Sequence, residues 1–234
     1  MAAVTDAFAA RAAEGLDWSR DGAGLHRAAV RGELPQLLEA VAALPTSRAG
    51  VRIHALSALH RHLAPSGAIG TIAATLLGAN ARAVRAILFD KTPTANWSLG
   101  WHQDRTICVA RRVDTPGFGP WTVKAGLTHV APPFSLLARM ITLRVHLDDV
   151  PADNAPLLIA PGSHRHGRIA ERDIPAVVNA CGAMPCLAVA GDVWAYATPI
   201  LHASAAASGR TQRRVLHVDF SSDDLPGALE WLGV

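Results

Sequence analysis

The sequence predicts a mainly β protein, with helices flanking a sandwich- or barrel-like core in one domain. Three observations carry that expectation. Beyond residue 83 the chain breaks into short β-prone runs separated by Gly, Pro, Asp and Asn turn signals. Apolar residues at helical spacing concentrate before that point. No internal repeat divides the 234 residues, half of them apolar, which is enough for one substantial core.

In chain order, residues 2–15 read as an alanine-rich first helix and 22–30 as a short strand. Leu37, Leu38, Val41 and Leu44 recur at helical spacing across 33–44, with Pro35 in the first turn, where proline is tolerated. Residues 66–77 form another helix, stopped by Gly78. This helix-rich part covers about 1–82, and the β-core about 83–222. Strands are expected at 84–89, 101–110, 140–147, 157–160, 187–190, 192–197 and 214–220, with a helix at 169–181. The segment 91–99 and the one carrying His129 read as loops, and Pro161-Gly162-Ser163-His164 as a tight turn.

Composition excludes several function classes. Net charge is +3 but dispersed, with no long basic run interleaved with aromatics, so nucleic acid is not an expected partner. No apolar run reaches the ~18–20 residues needed to span a bilayer. The first residues carry Asp6, Glu14 and Asp17, unlike a signal peptide. Cys108, Cys181 and Cys186 form no zinc-ligand spacing and suit a reducing compartment, so a cytoplasmic protein is expected.

The chemistry lies in the second half. Residues i and i+2 of a strand share a face, so His-x-Asp can present two ligands to one metal. With 11 His and 14 Asp, about 0.7 such patterns arise by chance, and the chain has three. His217-Val218-Asp219 has no later histidine to complete a triad. In His146-Leu147-Asp148 the carboxylate opens a turn and reads as a turn cap. His102-Gln103-Asp104 has both His202 and Arg213 downstream. Two imidazoles and a carboxylate can occupy one face of an octahedral metal and leave three positions open, the ligand set of non-haem Fe(II) oxygenases. Arg213 can hold a carboxylate bidentately. Arg214 is the neighbouring alternative, and only one of the two can face the site.

These residues resemble the phytanoyl-CoA dioxygenase family of Fe(II)/2-oxoglutarate-dependent oxygenases. The likeness runs from about Gly22 to the C-terminus. Its pieces are Leu88-Phe89-Asp90-Lys91-Thr92-Pro93, Trp101-His102-Gln103-Asp104, Asp153-Asn154-Ala155-Pro156-Leu157 leading to Pro161-Gly162-Ser163-His164, Gly191-Asp192-Val193-Trp194, and His202-Ala203-Ser204 followed by Arg213. Where the family usually has Asn-Gly, this chain has Asn154-Ala155. The resemblance implies a double-stranded β-helix, or jelly-roll, core. It implies Fe(II) held by His102, Asp104 and His202. It also implies 2-oxoglutarate as cosubstrate, its distal carboxylate on Arg213 with help from Ser204, and O₂ consumed with release of succinate and CO₂. Related halogenases replace the carboxylate ligand with a small residue. Asp104 is present, which favours hydroxylation, or another oxidation, of a small-molecule C–H bond over halogenation.

Further candidates surround this set. Lys91 and Lys124 are the only lysines against 20 arginines, and Lys91 can reach an anion near the site. Thr142 and Arg144 share a strand face. If that face is the interior, Arg144 needs an anionic partner, which makes Thr142 a cosubstrate candidate and Arg144 a substrate candidate. Trp97 and His129 are further substrate candidates. Gln103 points away from the ligands if its strand is regular. A chain this short has little room for a CoA-binding region, which favours a compact substrate. Two rivals remain: a jelly-roll metalloenzyme that does not use 2-oxoglutarate, and a non-catalytic metal- or ligand-binding protein.

Overall fold

The computed structural model describes residues 15–45, 50–92, 95–207 and 212–234. The predicted first helix lies almost wholly outside them. The described strands are β1 (Ala23–His26), β2 (Gly50–Ile53), β3 (Arg82–Lys91), β4 (Leu99–His102), β5 (Ile107–Val109), β6 (Trp121–Lys124), β7 (Leu127–Val130), β8 (Ile141–His146), β9 (Leu157–Ile159), β10 (Met184–Cys186), β11 (Val193–Ala197), β12 (His202–Ser204) and β13 (Arg213–Ser221). The helices are α1 (Trp18–Asp21), α2 (Leu34–Val41), α3 (Ser57–Leu63), α4 (Ala68–Leu77), α5 (Phe134–Leu137) and α6 (Ile174–Cys181).

The strands build a six-stranded antiparallel sheet in the order β1-β11-β8-β13-β3-β2, a four-stranded sheet β10-β9-β12-β4, and a three-stranded sheet β5-β7-β6. This is the jelly-roll core: a large and a small antiparallel sheet with helices outside. The alternation of the large sheet explains its packing. Ala86 and Leu88 of β3, Leu143 and Val145 of β8, and Leu216 and Val218 of β13 form one buried cluster with Leu37, Leu59 and Ile69 of α2, α3 and α4. Each fully buried aliphatic side chain there contributes about 1.5–3 kcal/mol. The opposite face carries Arg85, Phe89 and Lys91, then Thr142, Arg144 and His146, then Arg213, His217 and Asp219. The sheet is therefore apolar outside and ionic inside.

The helix-rich first third also supplies both edge strands of the large sheet, β1 and β2, of which β2 was not legible in sequence. The expected single strand 101–110 is two, β4 and β5. Between them Gln103 leaves the ladder, donating to the carbonyls of Gly167 (3.0 Å) and Pro199 (2.8 Å) and accepting from the Ile169 amide (2.9 Å). The expected strand 187–190 is only a bridge of Ala188 to Val150; the paired strand is β10. His129 lies on β7, not on a loop, because β6 and β7 form a hairpin through Ala125 and Gly126, both at positive φ (51° and 80°). Among the described residues no helix is long and apolar enough to cross a membrane.

The first turn of α4 crosses the end of α3 closely. A Cβ added at Gly70 would overlap the Ala64 carbonyl. Helix propensity alone would make Gly70→Ala stabilising by roughly 1 kcal/mol. The overlap reverses the sign, and we expect a loss of about 1–3 kcal/mol in urea unfolding. An unchanged or raised midpoint would show that the two helices have room to separate.

Candidate metal and cosubstrate site

The two sheets bring the dispersed motif residues together. His102 ends β4 and His202 begins β12, and the two are direct cross-strand partners with ring centroids 4.3 Å apart. Asp104 follows just beyond the point where Gln103 pins the chain. Ligand atoms of His102, Asp104 and His202 all lie within 4.8 Å of one another. Each histidine places Nδ1 on a carbonyl two residues back: Gly100 at 2.8 Å for His102, Ile200 at 2.9 Å for His202. Those bonds fix the Nδ1–H tautomer and leave each Nε2 lone pair available, the arrangement metal-bound histidines require. Burial, partly opposed by the Asp104 charge, pushes His202 down to about 4, so its ring is neutral at pH 7. The turn at 161–164 supports this strand: Ser163 Oγ accepts from the Leu201 amide at 2.8 Å.

Arg85 was missed by sequence reading. From β3 its Nε donates to Asp219 at 2.5 Å and its Nη2 to Asp104 at 3.2 Å. Burial would raise the Asp104 pKa. Arg85 first, then the histidines, outweighs it and holds the carboxylate well below its usual range. The signal was available in principle: Arg85 and Lys91 share the inward face of β3 with the apolar Ala83, Ile87 and Phe89. His217 and Asp219, set aside in sequence, also reach this cluster, and Asp104, His217 and Asp219 form a second group of close ligand atoms. Asp219 is already committed to Arg85 and to the Thr142 hydroxyl (2.8 Å), so the His102 triad is the better metal site. His146 is buried, but Asp148 pairs with Arg214 at 2.7 Å instead of merely capping a turn. That pair settles the orientation of the two arginines: Arg214 points away and Arg213 faces inward.

A cavity of about 400 Å³ opens beside the triad, with Arg144, Arg213, Ser204, Trp97 and Phe89 on its wall. Arg213 donates to the Ala155 carbonyl. Ala155 has φ 47°, the left-handed region that glycine tolerates best, which accounts for the glycine usual there. Burial, then Arg144, lowers Arg213 to about 9. The Nε atoms of both Arg144 and Arg213 are buried without a partner among the described residues. Arg144 has only the Phe89 ring, 5.5 Å away. Unpaired buried cations of this kind call for an anionic ligand. Lys91 lies behind the wall, donating to Ser204 Oγ (3.0 Å) and the Ala205 carbonyl (2.5 Å), with Trp97 4.8 Å away. Thr142 and His129 are not brought to the cavity wall. The Thr142 hydroxyl is taken up by Asp219 and Thr198, and His129 Nδ1 bonds the Leu127 carbonyl.

The sequence model of the phytanoyl-CoA dioxygenase (PhyH) family matches residues 39–215. No curated protein matches the chain in sequence. Among solved structures, EctD from S. alaskensis with bound Fe is similar at 20% identity and TM-score 0.64, over 96% of this chain and 80% of that one. The epimerase SnoN, in complex with Fe3+, alpha ketoglutarate and nogalamycin RO, is similar at 19% identity and TM-score 0.61, over 95% and 91%. HygX from Streptomyces hygroscopicus, with nickel and 2-oxoglutarate bound, is similar at 15% identity and TM-score 0.60, over 87% and 84%.

Two outcomes follow. Arg85→Leu leaves the buried Asp219 and the half-buried Asp104 without their cation, and the metal-free chain should lose roughly 3 kcal/mol. Denaturant unfolding measures it, and a loss under 1 kcal/mol would mean that the histidines already compensate. Burial, then Arg213 and Arg144, pushes Lys91 down to about 7 from the usual 10.5. Between those values the unfolded chain binds more protons than the folded one, so this group makes stability rise with pH. Unfolding of the metal-free chain from pH 7 to 9.5 should show a steeper rise than Lys91→Met; parallel curves would refute the shift.

Proposed function

The chain belongs to the phytanoyl-CoA dioxygenase family, and from that premise we propose that it is an Fe(II)- and 2-oxoglutarate-dependent oxygenase that oxidises a C–H bond of a compact small molecule, most simply by hydroxylation. The observation that carries the reading is the coincidence of two features in one cavity. Three ligand atoms converge with both histidine tautomers fixed, and next to them buried arginines lack an anion. The donor set of two neutral imidazoles and a carboxylate suits Fe(II) and leaves coordination positions for a keto acid and O₂. Bound there, iron with 2-oxoglutarate and O₂ supplies the oxidising power for C–H cleavage, with succinate and CO₂ released.

The chain's own part is positioning. His102, Asp104 and His202 are the proposed ligands. Arg85 holds Asp104 ionised and aimed. Arg213 takes the distal carboxylate of 2-oxoglutarate through its fork of donors, with Ser204 beside it. Lys91 supports that end by holding Ser204. Arg144 adds a second buried cation, whose attraction for an anion is strengthened where water is excluded. Phe89 and Trp97, with ring centroids 6.2 Å apart, wall the cavity with apolar surface. The intact Asp104 favours oxygen transfer over halogenation. The free thiols of Cys108, Cys181 and Cys186 support a cytoplasmic setting.

Succinate formation from 2-oxoglutarate tests the reading. Arg213→Ala should cut kcat/KM for 2-oxoglutarate by about 100-fold or more, the scale for losing a buried charge-assisted contact, while metal binding is kept. His102→Ala should lose metal binding itself. Unchanged succinate formation in Arg213→Ala would remove Arg213 from the cosubstrate site, and no succinate formation by the unaltered Fe(II)-loaded protein would remove 2-oxoglutarate from the mechanism.

A further inference from the structure

The cavity carries a second group of cations that the cosubstrate does not account for. Arg52 projects from β2, the edge of the large sheet, and Lys124 from the end of β6, the outer strand of the small three-stranded sheet. Both line the same cavity. Neither makes an ion pair or hydrogen bond among the described residues, and Arg52 Nε is buried with no partner. The two feel each other: burial, then Arg85, then Arg52 lowers the Lys124 pKa, with Asp104 opposing. Burial and then Arg85 lower Arg52 likewise.

Among the described residues no acidic side chain pairs with them. Asp104 is the one carboxylate on the wall, and it is bonded to Arg85 and assigned to the metal. Arg105, the other cation nearby, already donates to the Ile169 carbonyl at 2.6 Å. Fe(II) and doubly charged 2-oxoglutarate together add no net charge. Loading the deep end with them therefore leaves the outer cations uncompensated. Lys124 is exposed, and solvent alone could satisfy it. Arg52 is the stronger indicator, since an unpartnered buried guanidinium nitrogen costs free energy until a ligand arrives. Around this pair the wall is apolar, formed by Ile87, Trp97, Leu99 and Leu157.

We propose that the substrate is a compact organic acid whose carboxylate, phosphate or sulfate group is clasped by Arg52 and Lys124, with its apolar body laid toward the His102–Asp104–His202 centre. Arg52 supplies the planar fork for two oxygens and Lys124 a point charge at the rim. The carbon to be oxidised then belongs to the body, away from the acid group. This inference rests on the oxygenase reading for the direction of the body, but not for the existence of the anion clasp.

Calorimetric titration under argon separates the two. The protein loaded with Fe(II) and saturating 2-oxoglutarate is titrated with benzyl phosphate and phenylacetate, and with their uncharged counterparts benzyl alcohol and phenylacetamide. Saturation with 2-oxoglutarate keeps the acids off Arg213. The acids should bind at least about tenfold tighter than the neutral molecules, the scale of one or two charge-assisted hydrogen bonds. Arg52→Gln should erase most of that preference, Lys124→Gln a smaller part, and Arg52→Lys should restore some of it. 2-Oxoglutarate affinity should be unchanged in all three. Lys124→Gln, at an exposed strand end, keeps the test open if Arg52 variants fold poorly. Equal binding of acids and neutral molecules, absence of acid binding, or full acid affinity in Arg52→Gln/Lys124→Gln overturns the proposal. If 2-oxoglutarate itself does not bind the Fe(II)-loaded protein, the oxygenase reading falls. The acid-against-neutral comparison still decides the clasp on the metal-loaded protein alone when Arg52→Gln is set beside the unaltered protein, because acid held at Arg213 would be indifferent to that change.

Discussion

The ionic bridge through Arg85 is the contact on which the rest of the site depends. Asp219 belongs to the large sheet, and Asp104 to the segment leaving β4 of the small one. One guanidinium joins them across the interior. Without it the fold would bury two carboxylates within reach of each other, and one would take up a proton. A protonated Asp104 is a poor metal ligand. The bridge thus keeps the ligand charged before any metal arrives. It also ties the strand that carries His102 to the framework that carries Arg213.

The same logic inverts at the deep end of the cavity. There Arg144 and Arg213 are buried with no carboxylate to answer them, and His146 beside them is kept neutral by burial and by their charges. A cavity that keeps its cations unpaired is pre-organised for anions. The desolvation cost is met on folding, so the ligand need not rearrange the wall to bind. Outer-face packing of Leu143, Val145, Leu216 and Val218 against the helices supplies stability that offsets this cost.

Much of this was legible in sequence, and the limits have physical causes. The turn-bounded β-prone runs at 140–147 and 214–220 located two central strands, and the order of His102, Asp104, His202 and Arg213 identified which of three His-x-Asp patterns could form a triad. The choice of Arg213 over Arg214 rested on the family resemblance; the pairing of Arg214 with Asp148 supplies the physical reason. The break after His102 was invisible because Gln103 acts through partners about 60 to 100 residues away. Arg85 and Arg52 escaped for the same reason, and Lys124 stood out only by its rarity. An arginine on a strand is unremarkable until a second sheet, folded from distant sequence, sets a carboxylate or an empty space before it. Thr142 was placed correctly on the inner face, yet its partner is Asp219, a residue whose inward orientation no local pattern announces.

This division of faces bears on how the protein can change. The large sheet separates an apolar outer surface that determines whether the chain folds from an ionic inner surface that determines what it binds. Substitutions inside alter charge and shape with little loss of hydrophobic burial. Removing an unpaired inner cation can even stabilise the empty protein while weakening ligand binding, the usual opposition of stability and function at a pre-organised site. β2 and β6 lie at the edges of their sheets, where each strand has a partner on one side only. Side chains there can be exchanged without disturbing the triad, so the rim bearing Arg52 and Lys124 is the part of the cavity freest to set substrate choice while His102, Asp104, His202 and Arg213 keep the chemistry fixed.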